Sequence, residues 1–241
     1  MIRRMSDSAA LKRAAAAKAL DYVTDGMKLG LGTGSTAEAF MDILAPRVRG
    51  GLKLLCVPTS ERTTTYARKL GLSVGSLDDL APLDLTVDGA DEADRDLTLI
   101  KGAGGALLRE KIVAAASKRM VVIADESKLV ARLGKFTLPV EVLEFGQKTT
   151  VAHLSAAFAA QGYNNIPITL RQREGAVFKS DSGNMIYDCA MGAITSAAKL
   201  AAAMSSIPGV VGHGLFIGIA TTLLIAHPGE VEVIERERPA G

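Results

Sequence analysis

Apolar positions along this chain recur in two spacings, and the spacing switches repeatedly between them. Ala9 to Val23 is Ala-rich with lysines set along it, which suits a helix. Lys28 to Leu31 predicts a short strand, and a helix is expected from about Thr36 to Arg47. Leu52 to Val57 reads as a strand that Pro58 ends, and Thr59 to Leu70 as a helix closed by Gly71. Short strands are expected at Leu72–Val74 and Leu83–Val87, then a helix over Ala103–Lys118 and a fully apolar strand over Met120–Ala124. Strands alternating with helices in this way predict a parallel sheet with helices on both faces.

The pattern changes near Gly134. Strand Pro139–Leu143, helix Lys148–Gln161, strand Ile166–Arg171, a hairpin over Val177–Tyr187 turning at Asp181–Asn184, and helix Ile194–Ser205 follow in order. This β-α-β-β-α order predicts a small α+β insert of the ferredoxin-like kind. Strands over Val210–Phe216, Thr222–Ala226 and Val231–Ile234 are expected to return to the first sheet. The fold expected is therefore α/β: a Rossmann-like, mostly parallel sheet domain over 1–133 and 208–241, with a small inserted α+β domain over 134–207.

Composition narrows the class. The chain has 241 residues, 48% hydrophobic and 22% charged, an ordinary globular mix that argues against disorder. A formal net charge of +2 argues against a broad basic surface for nucleic acid. The near-apolar run Leu215–Ala226 is too short for a bilayer, which needs ~20 residues. Lys12, Arg13 and Lys18 interrupt what would be the apolar stretch of a signal peptide, so a cytoplasmic protein is expected. Cys56 and Cys189 form no CxxC motif, and His153, His213 and His227 show no metal spacing.

Three segments could carry chemistry, and in an open parallel sheet they would gather at the carboxyl ends of the strands. Gly30-Leu-Gly-Thr-Gly-Ser-Thr36 opens a helix, whose free N–H groups and dipole suit a phosphate. It is neither a Walker loop nor GxGxxG, which favours a small phosphate ester over a dinucleotide. It could equally be a plain strand–helix turn with Ser35 or Thr36 as the cap. In Thr86–Glu92, Asp88 and Asp91 flank a Gly-Ala step at a strand end; they could bind sugar hydroxyls, hold a metal, transfer protons, or form a solvated turn. In Leu99–Lys111, Lys101 precedes a glycine-rich turn and Glu110 lies about two turns into the helix, either as a functional acid or as an exposed one. A fourth segment, Val121–Leu129, ends in polar residues, among which Lys128 could reach an anion or remain solvated.

TGST at 33–36, VDGADE at 87–92, KGAGGALLREK at 101–111, IADESKLV at 123–130, GKFTLPVEV at 134–142 and IPGVVGHGLF at 207–216 resemble, in order, the type A ribose-5-phosphate isomerases. The resemblance covers nearly the whole chain. It implies conversion of D-ribose 5-phosphate to D-ribulose 5-phosphate in the non-oxidative pentose phosphate branch, without metal or organic cofactor, by a homodimer or dimer of dimers. It implies a phosphate loop of Thr33, Gly34, Ser35 and Thr36, approached by Lys12, and a sugar site of Asp88, Gly89, Ala90, Asp91, Lys101, Gly102, Ala103 and Gly104, with Lys128 as a further substrate lysine. Glu110 matches the family's proton acceptor; on chemical grounds Lys101 is the candidate to face the developing oxyanion, with Asp88 for ring opening and Asp91 for the hydroxyls. Ala103 stands where many members have glycine, and residues 218–241 match less well. A deaminase of amino-sugar phosphates and a sugar-phosphate sensor domain are the rival readings; ammonia release would mark the first, and binding without turnover the second.

Overall fold

The computed structural model describes residues 2–236; Met1 and residues 237–241, the last part of the unit expected over 208–241, lie outside it. Helix α1 (Ile2–Ala19) leads to β1 (Lys28–Leu31), α2 (Ser35–Arg49), β2 (Leu55–Pro58), α3 (Glu61–Lys69), the single turn α4 (Leu77–Leu80) and β3 (Leu85–Gly89). Then come β4 (Glu92–Ala93), β5 (Leu99–Ile100), α5 (Leu107–Ala115) and β6 (Met120–Asp125). The next stretch contains β7 (Leu138–Val142), α6 (Gln147–Ala160), β8 (Ile168–Leu170), β9 (Gln172–Arg173), β10 (Ala176–Val177), β11 (Met185–Cys189), α7 (Ala197–Ser205) and β12 (Val210–His213). The described chain closes with β13 (Leu215–Phe216), β14 (Thr222–His227) and β15 (Glu230–Glu235).

The main sheet has six strands in the order β15-β14-β6-β3-β1-β2. All pairs are parallel except β14 with β15. Successive residues of β6 serve opposite faces, as strand geometry requires. Val121 and Ile123 join Leu29, Phe40, Leu44 and Val87 under α1 and α2. Met120, Val122 and Ala124 pack with Leu99, Phe216, Leu223 and Ile225 on the other side. Burial on both faces explains why β6 is apolar without alternation. From β1 the chain steps one way to β2 and the other way to β3, so a topological switch point, the place where such sheets bind ligands, lies between β1 and β3.

The second sheet is antiparallel, in the order β12-β7-β11-β8, with α6 and α7 as crossovers. That β-α-β-β-α-β arrangement is the ferredoxin-like one. Phe158 and Leu154 of α6 and Leu200 and Met204 of α7 are fully buried against Val140 and Val142. Each such side chain contributes about 1.5–3 kcal/mol by leaving water.

Four local expectations change, the first being Leu72–Val74, which forms no strand but a single bridge from Val74 to Cys56. The stretch Val210–Phe216 does not return to the main sheet: β12 pairs with β7, and β13 joins a three-stranded sheet with β5 and β4. The break falls at Gly214, where a Cβ would overlap the Lys101 carbonyl. The hairpin expected over Val177–Tyr187 is reduced to a bridge between Lys179 and Met185, because β11 is taken by β7 and β8. A tighter hairpin forms just before it, where Glu174 and Gly175 both take positive φ (54° and 81°) between β9 and β10, as primed turns demand. Helix α5 starts at Leu107 rather than Ala103, so Glu110 sits in its first turn.

Glu92, in β4 of the three-stranded sheet, holds the connection that leads into the second sheet. Its buried carboxylate accepts from Gly134 N at 2.7 Å and Phe136 N at 2.6 Å, where the chain leaves one sheet for the other. Charge-assisted bonds of this kind contribute ~1.5–3 kcal/mol each. Glu92→Ala is therefore expected to lower unfolding stability by about 3 kcal/mol or more, read from the urea midpoint at constant slope.

Candidate active site

The carboxyl ends of β1 and β3 and the turn after β5 enclose a cavity of about 180 Å³. Thr33, Gly34, Ser35 and Thr36 line it from the β1–α2 connection, Gly89, Ala90 and Asp91 from the end of β3, and Lys101, Gly102, Ala103 and Gly104 from the turn after β5. Glu110, Lys12 and Lys128 complete the lining. Asp88 lies behind this wall, fully buried, and reaches the cavity only through what it touches.

The β1–α2 loop is shaped by Gly32 and Gly34. A Cβ at Gly32 would overlap the Asp88 carboxylate, and Gly34 has φ +114° at the start of α2. Helix α2 therefore presents its first N–H groups to the cavity, a site suited to an anion. Lys12 Nζ donates to Ser35 Oγ at 3.1 Å, adding a positive charge there. The Thr33 hydroxyl turns the other way. It joins Thr59, Ser60 and Thr63 in a hydroxyl cluster at 2.8–3.0 Å, while its backbone N–H donates to Asp88 Oδ1 at 3.2 Å. Thr33 thus shapes the loop through its side chain and lines the cavity beside Gly104.

Three buried charges form the floor. Lys101, 3% exposed, places its ammonium 2.8 Å from Asp88 Oδ2, 3.3 Å from Glu110 Oε1 and 2.7 Å from the Gly89 carbonyl. The Phe216 ring lies 5.6 Å from the same ammonium, a further electrostatic support for the cation. Asp88 Oδ1 accepts from Thr33 N and from Gly89 N at 2.7 Å. Among the described residues Asp88 Oδ2 and Glu110 Oε2 are buried without a hydrogen bond. Asp88 Oδ2 is held by the Lys101 ammonium alone, whereas Glu110 Oε2 faces no donor, and a proton or a substrate hydroxyl can use it.

Burial pushes the Glu110 carboxyl up from 4.5 to about 8; Lys101 opposes this, and Asp88 and Asp91 add to it. Burial also raises Asp88, against the pull of Lys101. Burial alone would lower Lys101, but Asp88 and Glu110 hold its pKa above the ordinary lysine value, so it stays an ammonium. A carboxyl titrating near the working pH beside a permanent cation is the equipment for moving a proton next to a carbonyl. Among the described residues no group of three or more His, Cys, Asp or Glu is arranged to hold a metal ion.

Asp91 accepts from Ala103 N at 2.9 Å, linking the β3 end to the glycine turn. Lys128 ends the 3-10 turn Glu126–Lys128, which Asp125 caps by accepting from Ser127 N at 3.1 Å. Two contributors had no signal in the sequence. Phe216 sits in an ordinary apolar run, and Arg171 lies in the second sheet, where its guanidinium reaches the Gly102 carbonyl at 2.7 Å. Neither carries a motif; only the tertiary fold brings them to the site.

The family model described as "Ribose 5-phosphate isomerase A (phosphoriboisomerase A)" matches residues 55–230. A protein of Nitrobacter hamburgensis named "Ribose-5-phosphate isomerase A" is 55% identical over 227 residues, which is 94% of this chain and 98% of that one. The solved ribose 5-phosphate isomerase of Plasmodium falciparum superposes with a TM-score of 0.91 at 36% identity, covering 95% of this chain and 100% of that one. A D-ribose-5-phosphate isomerase solved in complex with phospho-erythronic acid superposes with a TM-score of 0.89 at 33% identity, covering 95% and 99%.

The charge cluster makes a direct expectation. In ¹³C-carboxyl NMR of glutamate-labelled protein, the Glu110 resonance should titrate near about 8 instead of 4.5. Lys101→Met should move it higher still, because the cation that favours the carboxylate is gone.

Proposed function

Because this chain belongs to the ribose 5-phosphate isomerase A family and so interconverts D-ribose 5-phosphate and D-ribulose 5-phosphate, we propose that Glu110, Lys101 and Asp88 carry the chemistry. The observation that carries the assignment is the buried contact of Lys101 with both carboxylates on the floor of the cavity. The phosphate sits on the N-terminus of α2 at Gly34, Ser35 and Thr36, with Lys12 and Lys128 as counter-charges. It is remote from the reacting carbons and supplies binding energy and position. Asp91 and the backbone of Gly102, Ala103 and Gly104 hold the sugar hydroxyls.

The sugar arrives mostly as a ring. Asp88 serves ring opening through Lys101, the residue it touches: as the ring C–O bond breaks, Lys101 gives a proton to the ring oxygen and recovers the proton of the anomeric O–H, with Asp88 keeping it an ammonium. Glu110 then removes the C2 proton. The C–H electron pair forms the C1–C2 double bond and leaves negative charge on O1, which the Lys101 ammonium faces. The O2 proton passes to O1 as C2=O2 forms, and Glu110 returns its proton to C1. One carboxylate beside both carbons serves both transfers. Phospho-erythronic acid, bound by a relative, is a phosphorylated polyol ending in a carboxylate, and so carries negative charge on oxygen near where this enediolate would.

The reading includes a homodimer or dimer of dimers and a cytoplasmic location. Among the described residues no helix is long and apolar enough to cross a membrane, and sedimentation of the purified protein measures the oligomer.

Glu110→Gln should lower kcat by ~100-fold or more, the scale for losing a general base, with little change in KM; turnover of the wild type should persist in EDTA. Wild-type kcat in Glu110→Gln would remove Glu110 from the mechanism. The active form of Glu110 is the carboxylate, so kcat/KM should fall as pH drops through about 8. A rate that stays flat down to the ordinary carboxylate range would contradict the raised pKa.

A further inference from the structure

The turn that carries Lys101 belongs to one sheet system but is gripped by the other. Gly102 has φ +115° and Gly105 φ +84°, and Gly105 N donates to the Gly102 carbonyl at 3.0 Å. A glycine at 102 leaves the peptide that follows it free to rotate unless something holds it. Two charged side chains hold it from opposite sides. Asp91 accepts from its N–H, that of Ala103, at 2.9 Å. Arg171 Nη1 donates to its carbonyl, that of Gly102, at 2.7 Å, and to the Ala103 carbonyl at 3.3 Å.

Arg171 is itself aimed. It lies between β8 and β9, its side chain is 11% exposed, and its other edge pairs with Asp188 of β11, Nε with Oδ2 at 2.8 Å and Nη2 with Oδ1. A planar guanidinium can hold a carboxylate on one edge and a carbonyl with its remaining nitrogen; an ammonium cannot reproduce that fork. The neighbouring contacts act in the same direction. The Phe178 ring fills the space where a Cβ at Gly105 would be, and the Arg173 guanidinium lies 4.3 Å from the centre of that ring.

We propose that Arg171, oriented by Asp188, is a positioning residue for the isomerase site. It fixes the Gly102–Ala103 peptide, and through that peptide it sets Asp91 and the start of the turn at Lys101. The second sheet thereby takes part in preorganising a site otherwise built from the first. Arg171 does not line the cavity and acts only through the turn. The inference rests on the isomerase reading given above.

The test is Arg171→Met in the full chain, which keeps the aliphatic length and removes every donor. The expected result is a loss of kcat of ~10–100-fold, the scale of a misplacement of about 1 Å at a reacting group. Inhibition by inorganic phosphate, which reports on the α2 loop with Lys12 and Lys128 and not on the glycine turn, should be unchanged, while the thermal midpoint falls because Asp188 loses its partner. A purely structural role would weaken phosphate binding together with kcat, and that result overturns the proposal. Wild-type kcat and KM in folded Arg171→Met also overturn it. If Arg171→Met does not fold, Asp188→Asn keeps the guanidinium but loosens its aim; it should lower kcat by a smaller factor, and wild-type kcat there overturns the proposal. Failure of the wild type to turn over D-ribose 5-phosphate would strike at the isomerase reading instead, so the two failures are distinguishable.

Discussion

The site depends on one buried cation. An ammonium 3% exposed is tolerable only beside compensating negative charge, since each ion removed from water costs several kcal/mol in a real protein interior. Lys101 has two carboxylates and a carbonyl within 3.3 Å, and the surrounding chain is arranged to bring them there. Asp88 must end β3 at the switch point, Glu110 must fall in the first turn of α5, and β5 must be short enough to deliver Lys101 between them. Each condition is met by a glycine or a sheet edge: Gly32 makes room for the Asp88 carboxylate, and Gly214 lets the chain pass the Lys101 carbonyl.

The same cluster explains why two similar carboxyls differ from an ordinary surface acid. With one cation shared between them, neither is fully compensated, and burial raises both. Glu110 lines the cavity and keeps Oε2 free of donors, so its elevated basicity is available to a ligand. Asp88 stands behind, where it holds Lys101 and the Thr33 and Gly89 N–H groups in register. Chemistry and scaffold therefore share one set of bonds, and loosening the glycine turn loosens both.

Much of this was legible in the chain. Gly, Asp and Lys punctuate strand ends, and the motifs at 33–36, 87–92 and 101–111 fall on one cavity as a doubly wound sheet requires. The apolar run of β6 and the α6–α7 periodicity came through because burial on known faces writes itself into the sequence. What did not come through depends on pairing partners far apart in the chain. The split of Val210–Phe216 between two sheets is decided by crowding at Gly214, which no local pattern reveals. On base rates Glu110 reads more readily as an exposed helix acid than as a functional one; the structure buries it in the first turn of α5, which begins four residues later than Ala103. The inward turn of the Thr33 hydroxyl follows from Thr59, Ser60 and Thr63, which lie on another connection. Arg171 had no signal because its partners at the site are carbonyls, and any residue supplies those.

Hydrogen transfer tests most directly the claim that one buried carboxylate serves both carbons. D-ribose 5-phosphate carrying deuterium at C2 would be converted in ordinary water, and the C1 position of the ketose read by NMR at early turnover. A single shielded base predicts that part of the deuterium appears at C1, all of it on one face. Deuterium divided between both faces of C1, or none there from the first turnovers, would contradict the account.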